Sequence, residues 1–340
     1  MAPISRKLIH FEKKDDFSNE AANNNIPGSS IVFVKDSKEI STHGFFYSTV
    51  AWSIIESDFI TSAEAIAGDV WLFDRNSGKL VICPRLILPQ QDTERYEPVG
   101  IVVVPGSHDV YGENRCGVMS VKAMNCSTPS TGSVSNQGMY AGNNVDYTLA
   151  NLNQVGIYEN GVLVGKGFGY LAKDGEYAST TYRIPDPYNP DGTRNPEYYS
   201  ASVARNCTGD FDGKTNTVKV LAMRGDKDYS SWTPKATTKT DYPAFSCCDM
   251  FHTSGTAQGD WYLPAMGEIG YIMARWSNIL DAISTINAMY GNVASGIING
   301  DCFWSSTEHN SANLRYVHTA NGAGHSAKTT SYYVRAFTIV

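Results

Sequence analysis

The chain has 340 residues, of which 42% are hydrophobic and 18% charged, and its formal net charge is −7 with a pI near 5.5. This composition is typical of a folded globular protein long enough for one large domain or a few smaller ones. The negative charge disfavours nucleic acid and anionic membrane surfaces as partners. No apolar run has the length that a transmembrane helix needs, so we expect no membrane insertion.

The N-terminus and the cysteines favour a protein made in the cytosol. The first residues, MAPISRKLIHFEKKDDF, include basic side chains but lack the apolar core of a signal peptide. The seven cysteines form an odd set without a CxxC pair. This pattern favours buried free thiols over a disulfide framework.

The first part of the chain predicts a small β module. Residues 1–25 are polar and charged, and we expect a flexible arm there. Two strand-like runs at 31–34 and 40–47 flank a polar turn, and the segment 68–88 repeats this pattern. We therefore assign residues 26–96 to a β module used for attachment or oligomerisation.

The remaining residues, 97–340, form the predicted main domain. Two strands around a glycine-rich loop begin it, and residues 126–210 follow, rich in Ser, Thr, Asn, Gly and Pro. Such a segment predicts a long irregular insertion. A short helix is predicted at 242–252. A longer one is predicted after Pro264, with a core-facing stripe at Ile269, Ile272, Met273, Trp276, Ile279, Leu280 and Ile283.

The end of the chain predicts three strands, at 303–307, 314–319 and 332–340, with Asn321-Gly322 as a hairpin turn between the last two. Alternation along the middle strand predicts that Val317 points to the core, so that Tyr316 and His318 point outwards.

The sequence contains none of the catalytic and metal-binding motifs considered below. No GxSxG, HExxH or P-loop pattern is present. A calcium loop around 189–192 does not fit the EF-hand register, and the glycines of 165–169 lack the spacing of a dinucleotide site. The spacing of His309, His318 and His325 fits no compact metal motif, although a hairpin could bring them together. We predict no catalytic residue, no metal and no cofactor, while a Cys/His pair formed in space stays open.

Five segments in order carry a resemblance: DFDGKTNTVKVL (210–221), YPAFSCCDMF (242–251), GDWYLPAMGEIGYI (259–272), FWSSTE (303–308) and YYVRAF (332–337). They resemble the C-type-lectin-like fold that is shared with the formylglycine-generating-enzyme class. The subset they most resemble is the variable proteins of diversity-generating retroelements, which include the phage major tropism determinant type and tail-associated relatives in gut phages. The resemblance spans 26–340 and is most specific over 242–337. It implies an α+β fold.

In that family a reverse transcriptase copies a template with errors at adenines and rewrites the last strands. The rewritten positions tend toward Asn, Ser, Thr, Asp, Gly, Ala, His, Tyr, Leu, Arg and similar residues, and they avoid Gln, Glu, Met, Trp and mostly Lys. In the implied variable region, 303–337, every residue from His309 to Thr330 belongs to the permitted set except Lys328, which we expect to be a fixed position.

The resemblance implies a displayed surface on a fixed scaffold. The expected displayed positions are His309, Ala312, Asn313, Leu314, Tyr316, His318, Ala320, Ala323, His325, Ser326, Thr329 and Thr330. The expected scaffold residues are Trp261, Leu263, Pro264, Trp304, Val317, Val334 and Phe337. Tyr and His suit recognition because they offer flat contact area and a polar tip.

The function implied is non-enzymatic receptor binding that sets host tropism. The partner would be a host cell-surface protein or glycan, with other virion tail proteins and a homotrimeric assembly as further expectations. The protein would be located on the phage tail, after synthesis in the host cytoplasm, or else on the bacterial surface. Alternatives are a structural tail protein, a non-varying adhesin or lectin, and a formylglycine-generating oxidase. The oxidase needs reactive C-terminal cysteines, and none follows Cys302.

Overall fold

The computed structural model describes residues 8–13, 31–36, 59–106, 111–112, 114–147, 149, 156–159, 162–166, 210–224, 229, 232–320 and 322–340. The chain divides into two compact units between Thr61 and Ser62. In the first unit, strand β1 (Leu8–Lys13) pairs in parallel with β2 (Ile31–Asp36). The strand predicted at 31–34 is confirmed, and the predicted flexible arm contains a strand. The predicted strand at 40–47 lies outside the described residues.

A five-stranded antiparallel sheet begins the second unit. Its order is β12-β6-β5-β3-β4, with β3 at Val70–Asp74, β4 at Lys79–Cys83, β5 at Tyr96–Val104, β6 at Gly117–Ser120 and β12 at Phe337–Ile339. The central strand β5 is buried along almost its whole length, as its continuous apolar run requires. Since β3 and β4 belong to the same sheet as β5, the predicted boundary between residues 96 and 97 is corrected to 61/62.

A second antiparallel sheet, here called the C-terminal sheet, has the order β11-β10-β9. It consists of β9 (Cys302–Glu308), β10 (Asn313–His318) and β11 (Gly322–Ala327). The hairpin partner of β10 is therefore β11, and the predicted partner 332–340 contributes only isolated bridges and β12. Sequence reasoning missed β11 because its Gly, Ala, His and Ser side chains are not those that strands favour.

The described residues contain four α-helices that accompany these sheets: α1 (Gly213–Ala222), α2 (Pro243–Met250), α3 (Met266–Ala274) and α4 (Trp276–Tyr290). Helix α2 confirms the short predicted helix, whereas α1, capped by Asp212, was not predicted. The long predicted helix is two helices, because the backbone at Arg275 leaves the helical conformation. The predicted stripe is buried apart from Leu280, which is half-buried.

The segment predicted as a loose insertion contributes to the core in its first part. Within 126–147, Met139, Ala141 and Tyr147 are buried. Further along, β7 (Gly156–Glu159) and β8 (Val162–Lys166) form a hairpin. The rejected calcium loop and residues 167–169 lie outside the described residues.

Helices and antiparallel sheets together make this an α+β fold. Of the helices described, none is both long enough and apolar enough to span a bilayer.

Candidate functional site

The predicted displayed positions lie at two ends of the C-terminal sheet. In the β10–β11 ladder, Asn313 pairs with Ala327 at one end and His318 pairs with Gly322 at the other. The first end, here called the loop end, carries the β9–β10 loop and the end of β11, with His309, Ala312, Asn313, His325, Ser326, Thr329 and Thr330. The second end, here called the turn end, carries His318, Ala320 and Ala323. Tyr316 lies between them.

Burial along β10 alternates from residue 315 onwards. Arg315, Val317 and Thr319 are buried, whereas Tyr316 and His318 are half-buried. Leu314 is fully buried, so its assignment to the displayed set is corrected. It pairs with Glu308, whose carboxylate accepts a hydrogen bond from the backbone N–H of Tyr147. The segment that carries Tyr147 therefore covers the sheet at this point. The alternation of residues along a single strand does not reveal such a cover.

The imidazole rings of His309 and His325 stack at the loop end. Their centroids are 3.9 Å apart and their planes are inclined by 23°. Arg315 is the direct partner of His325 in the β10–β11 ladder. Burial, the Arg315 charge and the neighbouring ring lower the pKa of His309 to about 4, and burial and Arg315 also lower the pKa of His325. Both rings are therefore neutral at neutral pH and present a flat, weakly polar surface.

Tyr316 is held by an aromatic cluster. Its ring centroid lies 4.7 Å from that of Tyr332, which in turn lies 4.7 Å from that of Trp304. The indole N–H of Trp304 donates to the backbone carbonyl of Met139 at 2.9 Å. Burial and Tyr332 raise the pKa of Tyr316. On β11, Gly324 pairs with Tyr316, and a Cβ added there would come within 2.7 Å of its ring.

The frame beneath the loop end centres on Lys328, which is fully buried. Its ammonium group donates hydrogen bonds to Glu308, to the carbonyl of Val145 at 2.6 Å and to the carbonyl of Ser311 at 3.0 Å. It also lies 3.5 Å from the centroid of the Tyr147 ring. Burial lowers the pKa of Lys328, and the Glu308 carboxylate opposes this shift. The lysine thus joins β9, the β9–β10 loop and the segment 126–147.

Sequence reasoning missed Glu308 and Tyr147 as members of this frame. One feature of the sequence did indicate this frame: Lys328 does not belong to the residue set permitted at rewritten positions. The expected scaffold residues, Trp261, Leu263, Pro264, Trp304, Val317, Val334 and Phe337, are all buried.

The three histidines of the tail do not converge. His309 and His325 stack at the loop end, whereas His318 lies at the turn end. In the part of the chain that the structure describes, no group of three or more His, Cys, Asp or Glu side chains could hold a metal ion.

A separate group of titratable side chains lies in the core. The Glu268 carboxylate is fully buried and accepts hydrogen bonds from Tyr262 at 2.7 Å, Tyr111 at 3.0 Å and the backbone N–H of Ala265 at 2.6 Å. Burial raises the pKa of Glu268 to about 8 although these three donors oppose the shift. The Ala265 bond caps the start of α3, so this group has a structural role.

Comparisons with known proteins leave the family open. The chain matches no protein-family model, and no curated protein matches it. A solved fimbrial protein from Bacteroides ovatus ATCC 8483 is similar in structure, with 14% identity and a TM-score of 0.40 over 81% of this chain and 48% of that chain. This chain therefore spans about half of that protein's length. A TM-score this low does not indicate a shared fold, so the likeness supports no conclusion about function.

Proposed function

We propose that this chain is a non-enzymatic receptor-binding protein whose C-terminal surface is diversified by a retroelement. On this proposal the domain has the C-type-lectin-like fold that its motifs resemble. The exposed and half-buried positions of the C-terminal sheet contact the partner, and the buried frame stays constant. The partner is a protein or glycan on a bacterial cell surface, and the chain acts on a phage tail or on a bacterial surface.

The position of Lys328 supports this proposal most directly. It is the one residue between 309 and 330 that lies outside the restricted alphabet, and it is also fully buried. Two of its hydrogen bonds hold the backbone carbonyls of Val145 and Ser311, and the third pairs it with the Glu308 carboxylate. A residue that the diversification mostly avoids thus occupies a position where exchange would break the frame. This is the pattern that a rigid scaffold with a replaceable surface requires.

The chemistry of the remaining positions suits binding. His325 and Ala320 are exposed, and His309, Tyr316 and His318 are half-buried. Side chains of Tyr and His give contact area with few rotatable bonds and a polar tip for hydrogen bonding. A shallow patch of this kind gives modest affinity for each copy, so several copies on one particle would strengthen attachment.

Sequencing the DNA around the gene tests the proposed diversification. The 3′ end of the gene is compared with the DNA around it, where we expect a near-copy of the segment encoding 303–337 and a reverse transcriptase gene. The two copies should differ mainly where the template carries adenine, at codons for the exposed positions, and should agree at Lys328. Absence of such a repeat would overturn diversification and leave the non-varying adhesin or lectin.

Binding is tested with the full chain. Labelled protein is incubated with a panel of bacterial strains, and strains that bind are tested with the triple variant H309A/Y316A/H325A. We expect binding to fall by at least tenfold. A matched control, V218S/M223S, changes one exposed apolar residue of α1 and another just after its end, and it should bind like the wild type. Equal binding by both variants would place the site elsewhere, and binding to no strain would favour a structural tail protein.

A further inference from the structure

Two buried cysteines meet at the boundary between the segment 126–147 and helix α2. The sulfur atoms of Cys126 and Cys247 are 3.3 Å apart, although the residues are 121 positions apart in the chain. Both side chains are buried. A backbone hydrogen bond also joins the two segments, because the N–H of Ala244 at the start of α2 donates to the carbonyl of Tyr140 at 3.1 Å. The N–H of Cys126 itself donates to the side chain of Gln137 at 2.6 Å.

We propose that Cys126 and Cys247 form a disulfide bond when the chain is held in an oxidising environment. A disulfide has a sulfur–sulfur length of about 2.05 Å, so the two atoms must approach by little more than 1 Å. We expect rotation of the two side chains to supply this movement. Cys248 is the next residue of α2 and points about 100° away around the helix, so it is not the partner.

The oxidant is a small-molecule disulfide such as glutathione disulfide. Cys126, the less buried of the two, attacks one glutathione sulfur as a thiolate; a mixed disulfide forms and one glutathione thiolate leaves. The Cys247 thiolate then attacks the Cys126 sulfur and releases the second glutathione. The two cysteines lose two protons and two electrons, which appear in the two glutathione thiols.

Burial decides when this reaction occurs. It raises the pKa of Cys247 well above its usual value, so little thiolate exists in the folded protein at neutral pH. We therefore expect slow oxidation of the folded chain and faster oxidation during folding. The bond would tie the segment that carries Tyr147 and Val145 to α2, beneath the loop end. This inference does not depend on the proposed function.

The experiment compares oxidised and reduced full-length protein. The reduced chain is equilibrated in a glutathione redox buffer, both folded and during refolding from urea, so that access to the thiols does not limit the result. Free thiols are then alkylated and the protein is cleaved with trypsin. Cleavage after Lys122 and Lys239 places Cys126 on one peptide and Cys247 with Cys248 on another. We expect mass spectrometry to find these two peptides joined, with a mass two hydrogen atoms below the sum of the masses of the separate peptides.

Variants assign the bond to single residues. The joined peptides should vanish in C126A and C247A and persist in C248A and in the control C116A. The oxidised wild type should melt about 5–10 °C higher than the reduced form, because the bond closes a long loop. The reduced variants should melt close to the reduced wild type, which shows that they fold. The proposal would be overturned if Cys126 and Cys247 were fully alkylated both in the folded chain and after refolding. It would also be overturned if the bond were lost in C248A and kept in C247A.

Discussion

Lys328 donates a hydrogen bond to Glu308 at a place where both side chains are fully buried. Glu308 ends β9 and Lys328 follows β11, so the pair connects the two outer strands of the C-terminal sheet. Three carbonyl or carboxylate oxygens surround the ammonium group, and the Tyr147 ring lies beside it. A buried charge is tolerated when it is paired and hydrogen-bonded in this way.

Removal of the lysine should therefore destabilise the protein. In K328M the Glu308 carboxylate stays buried without its cation, and we expect a loss of about 3–5 kcal/mol in the free energy of unfolding. The double variant E308Q/K328M removes both charges and should recover a large part of the loss. Urea unfolding measures both values. T329A, at a half-buried neighbouring position, should stay within about 0.5 kcal/mol of the wild type. Equal stability of K328M and T329A would contradict the role of the pair.

The stacked histidines predict a pH dependence at the loop end. The folded pKa of His309 is about 4, below its ordinary 6.5, so the unfolded chain binds more protons between these values. Stability should fall as the pH drops through this window, by at most about 1.4 kcal/mol per unit and by less where solvent screens the ring.

The difference in unfolding free energy between wild type and H309N, measured at each pH, isolates this contribution. The control T329A, which removes no titratable group, should keep the wild-type slope. A slope in H309N equal to that of the wild type would show that the stacked ring does not titrate as expected.

The buried Glu268 predicts that stability changes with pH in the opposite direction. Its folded pKa of about 8 lies above the ordinary 4.5, so the folded chain binds more protons between these values. Its contribution to stability is present below pH 4.5 and is lost as the pH rises to 8, by at most about 1.4 kcal/mol per unit. The stability of the wild type relative to E268Q should therefore decrease over this window.

A second variant checks the cause of that shift. Y262F removes a hydrogen bond that favours the charged form of Glu268, so the folded pKa should rise. The upper end of the window should therefore move to higher pH, while its lower end stays at the ordinary pKa of the unfolded chain. The readout is chemical unfolding at a series of pH values. A constant difference between wild type and E268Q from pH 4.5 to 8 would mean that Glu268 does not titrate there.

Gly324 and Tyr316 should be energetically coupled. A methyl group at position 324 would come within 2.7 Å of the Tyr316 ring and displace it from the aromatic cluster, so G324A should destabilise the wild type by about 1–2 kcal/mol. In a Y316A background the same change should be neutral or stabilising, because Gly in a strand costs about 0.5–1 kcal/mol relative to Ala. A double-mutant cycle measures the coupling. Additive effects would show that the two positions vary independently.

Such a coupling has a consequence for a diversified surface. A large aromatic side chain at position 316 needs glycine at 324, whereas a small residue at 316 removes that requirement. Related sequences that vary at both positions should then lack the combination of a bulky residue at each.

The sequence by itself determined the features that depend on local patterns. The apolar run of β5, the proline at the start of α2 and the buried stripe along α3 and α4 each reflect periodicity over a few turns or residues. The alternation from Arg315 to Thr319 belongs to the same class. The restricted alphabet of 309–330 also singled out Lys328 before its surroundings were known.

The tertiary structure decided which distant segments meet. The burial of Leu314 and the pairing of Lys328 depend on contacts made by residues 145–147, more than 150 positions earlier in the chain. The contact between Cys126 and Cys247, the stack of His309 on His325 and the pairing of β11 with β10 are of the same kind. Local periodicity fixes which face of an element is apolar, but only the packing of all elements fixes what covers that face.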